Sequence, residues 1–105
     1  MSWMQSLFGG AATASPVAEQ ARAALAKGAV VLDVRTPDEF AGGHIAGAKN
    51  ISVQSLAQRV REVGPTTTPV VVYCRSGGRS AAAASLLRQH GYEVVDVGPM
   101  SAFPR

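Results

Sequence analysis

Two runs of residues constrain this chain more than anything else in it. Ala29-Val-Val-Leu-Asp-Val34 and Pro69-Val-Val-Val-Tyr73 are nearly unbroken apolar stretches of strand length. A strand with one wet face alternates polar and apolar residues. A run without alternation needs cover on both faces, as in a parallel sheet. Val94-Val-Asp-Val97 reads as a third strand, and Ala48 to Ser52 as a brief one. Between the strands the apolar spacing changes to three and four. Ser15-Pro16 offers an N-cap and a first helical residue, Val17, Ala21, Ala24 and Leu25 an apolar face, and Lys27-Gly28 a stop. Thr36-Pro37-Asp38-Glu39 carries a capping box for a short helix through Phe40, stopped by Gly42-Gly43. Val53, Leu56, Val60 and Val63 mark a helix ended by Gly64-Pro65. Ala81 to His90 reads as another, with His90 meeting the negative end of the helix dipole and Gly91 following. Strands alternating with helices predict an α/β fold with a mainly parallel sheet.

The chain has 105 residues, room for one domain, and its 47% hydrophobic content calls for a packed core. The expected layout is an N-terminal arm over residues 1–14 and a single domain over residues 15–105. The single cysteine excludes an internal disulfide framework and a Cys-rich zinc site. Only His44 and His90 accompany it, so no metal is expected. The net charge of +3 comes from 10 Lys and Arg against 7 Asp and Glu, with no basic run. Nucleic-acid binding calls for a basic patch, and no nucleic-acid partner is expected. A pocket for a small anion and a mildly basic surface both fit this charge. No apolar stretch reaches the roughly 20 residues that span a bilayer. The apolar start has no Lys or Arg before Arg22, unlike a secretory signal. A cytoplasmic chain without a membrane span is therefore expected. Trp3, Met4, Leu7 and Phe8 would share one face of a helical turn, so a contact with a partner or membrane competes with a mobile or tucked arm.

The chemistry is concentrated after the second apolar run, in Cys74-Arg-Ser-Gly-Gly-Arg-Ser80. Ligands of open α/β sheets bind beyond the carboxyl ends of strands, which is where Cys74 falls. Gly77 and Gly78 permit tight curvature, so successive N–H groups can converge into an anion-binding nest. The following helix adds its positive end, and Arg75 and Arg79 add full charges. A thiol in such surroundings is favoured as thiolate. The competing reading is a buried structural cysteine, which leaves the glycines and flanking arginines unexplained.

Two separated segments together resemble the rhodanese-like family of sulfurtransferases. The first is Asp33-Val-Arg35-Thr-Pro37-Asp-Glu39-Phe40, continuing into Gly43-His44-Ile45-Ala-Gly47-Ala48-Lys-Asn50-Ile51; the second is the loop from Cys74 to Ser80. The likeness covers roughly residues 15 to 103. It implies a rhodanese-like fold, a mainly parallel sheet with helices on both faces, and a thiosulfate sulfurtransferase type of enzyme. It implies that Cys74 takes a sulfane sulfur as a persulfide, and that Arg75, Ser76, Gly77, Gly78, Arg79 and Ser80 bind the anionic donor and the persulfide. The donor would be thiosulfate or another sulfane-sulfur compound, the acceptor cyanide, a thiol or a sulfur-acceptor protein, and no cofactor is called for. The opening strand of the family has only Ala11-Ala-Thr-Ala14 to supply it. The tail has Pro99 where a second Gly is frequent and Phe103 where Trp is frequent, and it stops early. That departure falls on the last helix and on one wall near the active site.

Asp33, Arg35, Glu39 and His44 are read as structural support. Arg35 is expected to pair with Glu39 across the strand-to-helix turn, and His44 to make a turn-stabilising hydrogen bond, against a role as base beside the thiol. Ser76 and Ser80 place hydroxyls near the sulfur, although Ser80 also fits a plain helix N-terminus. Two other functions compete with sulfur transfer. Related loops in cysteine phosphatases and arsenate reductases bind tetrahedral oxyanions, and a non-turnover carrier would form the same persulfide for a partner protein.

Overall fold

The computed structural model describes residues 15–104, and its sheet is built on the two apolar runs. The strands β1 (Val30–Asp33), β2 (Lys49–Asn50), β3 (Val70–Cys74) and β4 (Val94–Pro99) lie in the order β2-β1-β3-β4, every neighbouring pair parallel. All residues of the inner strand β3 are buried. Side chains alternate across a strand. Val70, Val72 and Cys74 therefore enter one core with Leu32 and Val34, while Val71 and Tyr73 enter another with Val95 and Val97. Burial on both faces is why the run carries no polar alternation.

Helices supply the two covers. α1 (Pro16–Ala26) lays Ala21 and Ala24 on the Tyr73 face. The Ser15 hydroxyl accepts the Ala18 N–H at 3.0 Å and so caps the helix as expected. α2 (Pro37–Ala41) is a short turn beyond β1, opened by the expected capping box. α3 (Val53–Arg59), its 3-10 continuation Val60–Val63, and α4 (Gly78–Gln89) cover the Cys74 face with Leu56, Val63, Ala83, Ala84 and Leu87. Burying each of these leucines contributes roughly 2 kcal/mol.

The element ends depart from expectation in ways that matter for the site. β2 pairs over two residues, since Ser52 is already the N-cap of α3. α4 starts at Gly78 and not at Ala81, because Gly77, at φ +110° and ψ −24°, turns the chain directly into the helix. Arg79 and Ser80 thus belong to its first turn. His90 is the C-cap of that helix. β4 runs past Val97 to Pro99 through a bulge: Asp96 faces Val72, Gly98 faces Tyr73 and Pro99 faces Cys74. The Asp96 carboxylate accepts the Gly98 N–H at 2.9 Å and fixes that bulge. The tail then makes a 3-10 turn, Met100–Ala102, and buries Phe103 edge-on against Tyr73 with ring centroids 5.8 Å apart. Among the described residues no helix is long and apolar enough to cross a membrane. The expected arm, with Trp3, Met4, Leu7 and Phe8, and the segment from Ala11 to Ala14 lie outside the described residues.

Candidate active site

Cys74 is the last residue of β3 and is fully buried. Burial alone would suit an inert core thiol. Polar groups nevertheless surround the sulfur: the Gly77 N–H donates to Cys74 Sγ at 2.9 Å. Gly77 holds a backbone conformation that a Cβ makes costly, and this geometry returns its N–H toward the strand end. Only Gly77 of the two glycines has the left-handed turn; Gly78 is already helical. Burial pushes the Cys74 thiol up. Hydrogen bonds from the hydroxyl and N–H of Ser80 and from the N–H groups of Gly77 and Ser76 outweigh it and hold the thiol below its ordinary value. The buried Ser80 hydroxyl also donates to the Gly77 carbonyl at 3.0 Å. It has one hydrogen, so bonding the thiolate means releasing that carbonyl.

The ion pairs correct the expectation that Arg35 pairs with Glu39. Arg35 grips Asp33 instead. Its Nε lies 3.0 and 3.1 Å from the two carboxylate oxygens, its Nη2 2.6 Å from Oδ2, and its backbone N–H donates to Oδ1 at 2.9 Å. Residues two apart on extended chain point to the same side, which brings these side chains together. Arg35 Nη2 also donates to the Gly43 carbonyl at 2.7 Å, tethering the turn after α2. Glu39 has other partners. Its carboxylate accepts the Thr36 N–H at 3.0 Å and receives Arg79 Nη1 at 2.6 Å and Nη2 at 3.0 Å. The Arg79 guanidinium, with the Thr36 N–H, lowers the Glu39 carboxyl to about 2.

Beside the loop lies a cleft of about 440 Å³, lined by residues that include Arg35, Asp38, Glu39, Gly43, Arg75 and Met100. Through Gly43 and Met100 it adjoins an apolar groove of about 480 Å³ bearing Ile45, Phe103 and Pro104. The tail residues Phe103 and Pro104 thus form part of that groove's wall. His44 donates from Nδ1 to the Phe40 carbonyl at 2.8 Å and stacks on the Phe40 ring at 3.6 Å, the turn contact expected of it.

The structure therefore brings Ser76, Gly77 and Ser80 to the sulfur of Cys74, places Arg75 on the cleft, and turns Arg79 toward Glu39. Sequence reasoning missed Tyr73, whose hydroxyl accepts the Ile45 N–H at 3.1 Å and whose ring lies 5.7 Å from the Arg35 guanidinium carbon. Burial pushes the Tyr73 phenol up to about 12, with Asp33 adding to the rise. It also gave no role to Asn50, whose amide donates to the carbonyls of Asp33 and Arg35 at 3.0 Å each. A polar amide at the edge of a strand-length run was the available signal. Asp38 and Met100 reach the cleft with no marker in the sequence beyond their neighbours.

Comparison with known proteins places this geometry among others. Residues 17–98 match the model of the rhodanese-like domain. The uncharacterized protein YqhL of Bacillus subtilis (strain 168) is 48% identical over 73 residues, 70% of this chain and 56% of that protein. Thiosulfate sulfurtransferase GlpE of Pseudomonas entomophila (strain L48) is 40% identical over 77 residues, 73% of this chain and 70% of the relative. Among solved structures, the human single-domain sulfurtransferase TSTD1 superposes with a TM-score of 0.61 at 29% identity, covering 81% of this chain and 87% of its own. With the matched segment spanning nearly all of the described fold, and with the expected α/β architecture present, this chain belongs to the rhodanese-like domain family.

Proposed function

We propose that the protein is a sulfurtransferase that moves a sulfane sulfur from thiosulfate or a persulfide donor to a thiophilic acceptor through a Cys74 persulfide. The observation that carries this reading is the buried Cys74 sulfur receiving the Gly77 N–H at the N-terminal end of α4. The similarity to relatives named as thiosulfate sulfurtransferases supports it. With thiosulfate, the Cys74 thiolate attacks the outer, sulfane sulfur. A new S–S bond forms, the bond to the sulfonate sulfur breaks, and sulfite leaves with the electron pair, needing no proton. Cyanide then attacks the terminal sulfur and leaves as thiocyanate, returning the thiolate. A thiol acceptor, small or carried by a partner protein, takes the sulfur in the same way. The N–H groups stabilise negative charge on Cys74 and then on the persulfide. A single reduced thiol suits work in the cytoplasm.

The phosphatase reading fits the site less well. Four residues separate Cys74 from Arg79, and α4 begins so early that little loop remains to surround a phosphoryl group. Intact-mass measurement tests the proposal. Thiosulfate is expected to add one sulfur atom, cyanide to remove it, and Cys74→Ser to abolish both. A mass unchanged with thiosulfate, polysulfide and glutathione persulfide alike refutes the mechanism. Efficient Cys74-dependent hydrolysis of aryl phosphates favours the phosphatase instead. Persulfide formation without turnover to cyanide or thiols favours a carrier module.

A further inference from the structure

We propose that, of the two arginines in the Cys74 loop motif, Arg75 alone reads the anionic end of the sulfur donor, while Arg79 is a positioning residue clamped by Glu39. The inference rests on the sulfur-transfer reading and departs from the sequence expectation that both arginines bind the donor. Two independent observations carry it. First, the Arg79 fork is occupied: two of its nitrogens meet the two oxygens of the Glu39 carboxylate at 2.6 and 3.0 Å. A bidentate pair of this kind takes the Nη1–Nη2 edge of the guanidinium, leaves only its Nε side for another anion, and offsets its charge. Second, Arg75 lines the cleft beside the loop and Arg79 does not. The other guanidinium on that cleft, Arg35, is held by Asp33 and the Gly43 carbonyl. Among the described residues, Arg75 is the cleft-lining cation without a carboxylate partner.

The clamp has its own work. Glu39 is fixed by the capping box of α2, through both the N–H and the hydroxyl of Thr36. Arg79 lies in the first turn of α4, next to Ser80, whose hydroxyl donates to the carbonyl of Gly77. Pairing Glu39 with Arg79 thus ties the start of α4 to the start of α2, two elements 40 residues apart in sequence. That tie holds the N–H groups of Ser76, Gly77 and Ser80 toward the sulfur. It acts on the thiolate through geometry, and it touches no donor atom.

The test separates position from charge. The Cys74 thiolate is titrated by ultraviolet absorbance in wild type, Arg79→Gln, Arg79→Lys and Glu39→Gln, with far-UV circular dichroism confirming the fold. If the clamp acts by position, Arg79→Gln and Glu39→Gln both move the midpoint upward, and Arg79→Lys, which keeps one contact, moves it less. If Arg79 acts by charge on the sulfur, the first raises the midpoint and Glu39→Gln lowers it, which overturns the proposal. Kinetics with thiosulfate and cyanide give the second arm. Arg75→Gln is expected to raise KM for thiosulfate about tenfold with kcat within about a factor of two, the pattern of lost ground-state binding. Arg79→Gln and Glu39→Gln are expected to lower kcat about fivefold or more with KM within about a factor of two. An Arg79→Gln protein whose KM rises as far as that of Arg75→Gln refutes the division of roles. Equilibrium binding of thiosulfate to Cys74→Ser, with and without Arg75→Gln, reads the Arg75 contact without turnover. A wild type that never loads sulfur refutes the function, while the titration still decides the clamp.

Discussion

Replacing Asp33 with Asn is expected to destabilise the fold more than any other isosteric change near the site. Asp33 has no solvent exposure and Arg35 has 5%. The carboxylate accepts the Arg35 backbone N–H, Nε and Nη2, with contacts from 2.6 to 3.1 Å. Asn keeps the shape and one acceptor. It puts an NH₂ group where Oδ2 now receives Nε and Nη2, and it leaves the guanidinium buried beside a donor. Breaking one side of a buried, hydrogen-bonded pair costs about 3–5 kcal/mol, against a typical total stability of about 5–15 kcal/mol. For a domain of this size each kcal/mol moves Tm by about 4–8 °C, so a fall of roughly 12–40 °C is expected. Urea unfolding followed by far-UV circular dichroism measures it directly. The double variant Asp33→Leu with Arg35→Met removes both charges, and is expected to lose less than Asp33→Asn because no unpaired ion remains. Its residual loss, about 1–3 kcal/mol, comes chiefly from the buried N–H of residue 35 left without Oδ1, with the carbonyl of the exposed Gly43 also losing Nη2. A cost below about 1 kcal/mol for Asp33→Asn, or a double variant less stable than the single, would refute the argument that this pair is a buried keystone.

Three further outcomes follow from the same geometry. Gly77→Ala has room, its Cβ meeting nothing nearer than the Gly98 Cα at 4.0 Å, so its cost of about 1–2 kcal/mol comes from positive φ; slowed persulfide loading in mass-monitored reactions, with the fold retained, checks it. Tyr73→Phe removes the acceptor of the Ile45 N–H and is expected to cost about 1–2 kcal/mol by chemical denaturation, while leaving Cys74 loading intact. The Glu39 carboxyl, at about 2 in the fold against 4.5 free, contributes stability that is complete above about pH 4.5 and is lost as pH falls toward 2. The Tm difference between wild type and Glu39→Gln should therefore hold steady from about pH 5 to 8 and close below about pH 4.5; a difference that shrinks above pH 5 contradicts the assignment.

The sequence by itself determined the layered architecture. Val70 to Tyr73 show no polar–apolar alternation, and such a run calls for cover on both sides, so the burial of β3 on both faces was legible in the residues themselves. Capping at Ser15 and Thr36 was legible for the same kind of reason, since these signals act within three or four residues. The candidate nucleophile was legible too, because Cys74, the glycines and the start of α4 are neighbours in the chain. What the sequence left open is who pairs with whom. Glu39 is close to Arg35 in sequence, yet strand alternation gives Arg35 to Asp33, and the early start of α4 carries Arg79 across the top of the sheet to Glu39. Local rules see a few residues in either direction. The cleft, the Tyr73 hydroxyl under Ile45 and the bulge that sets Pro99 opposite Cys74 all depend on strands brought together from distant parts of the chain, and only the packed sheet fixes those distances.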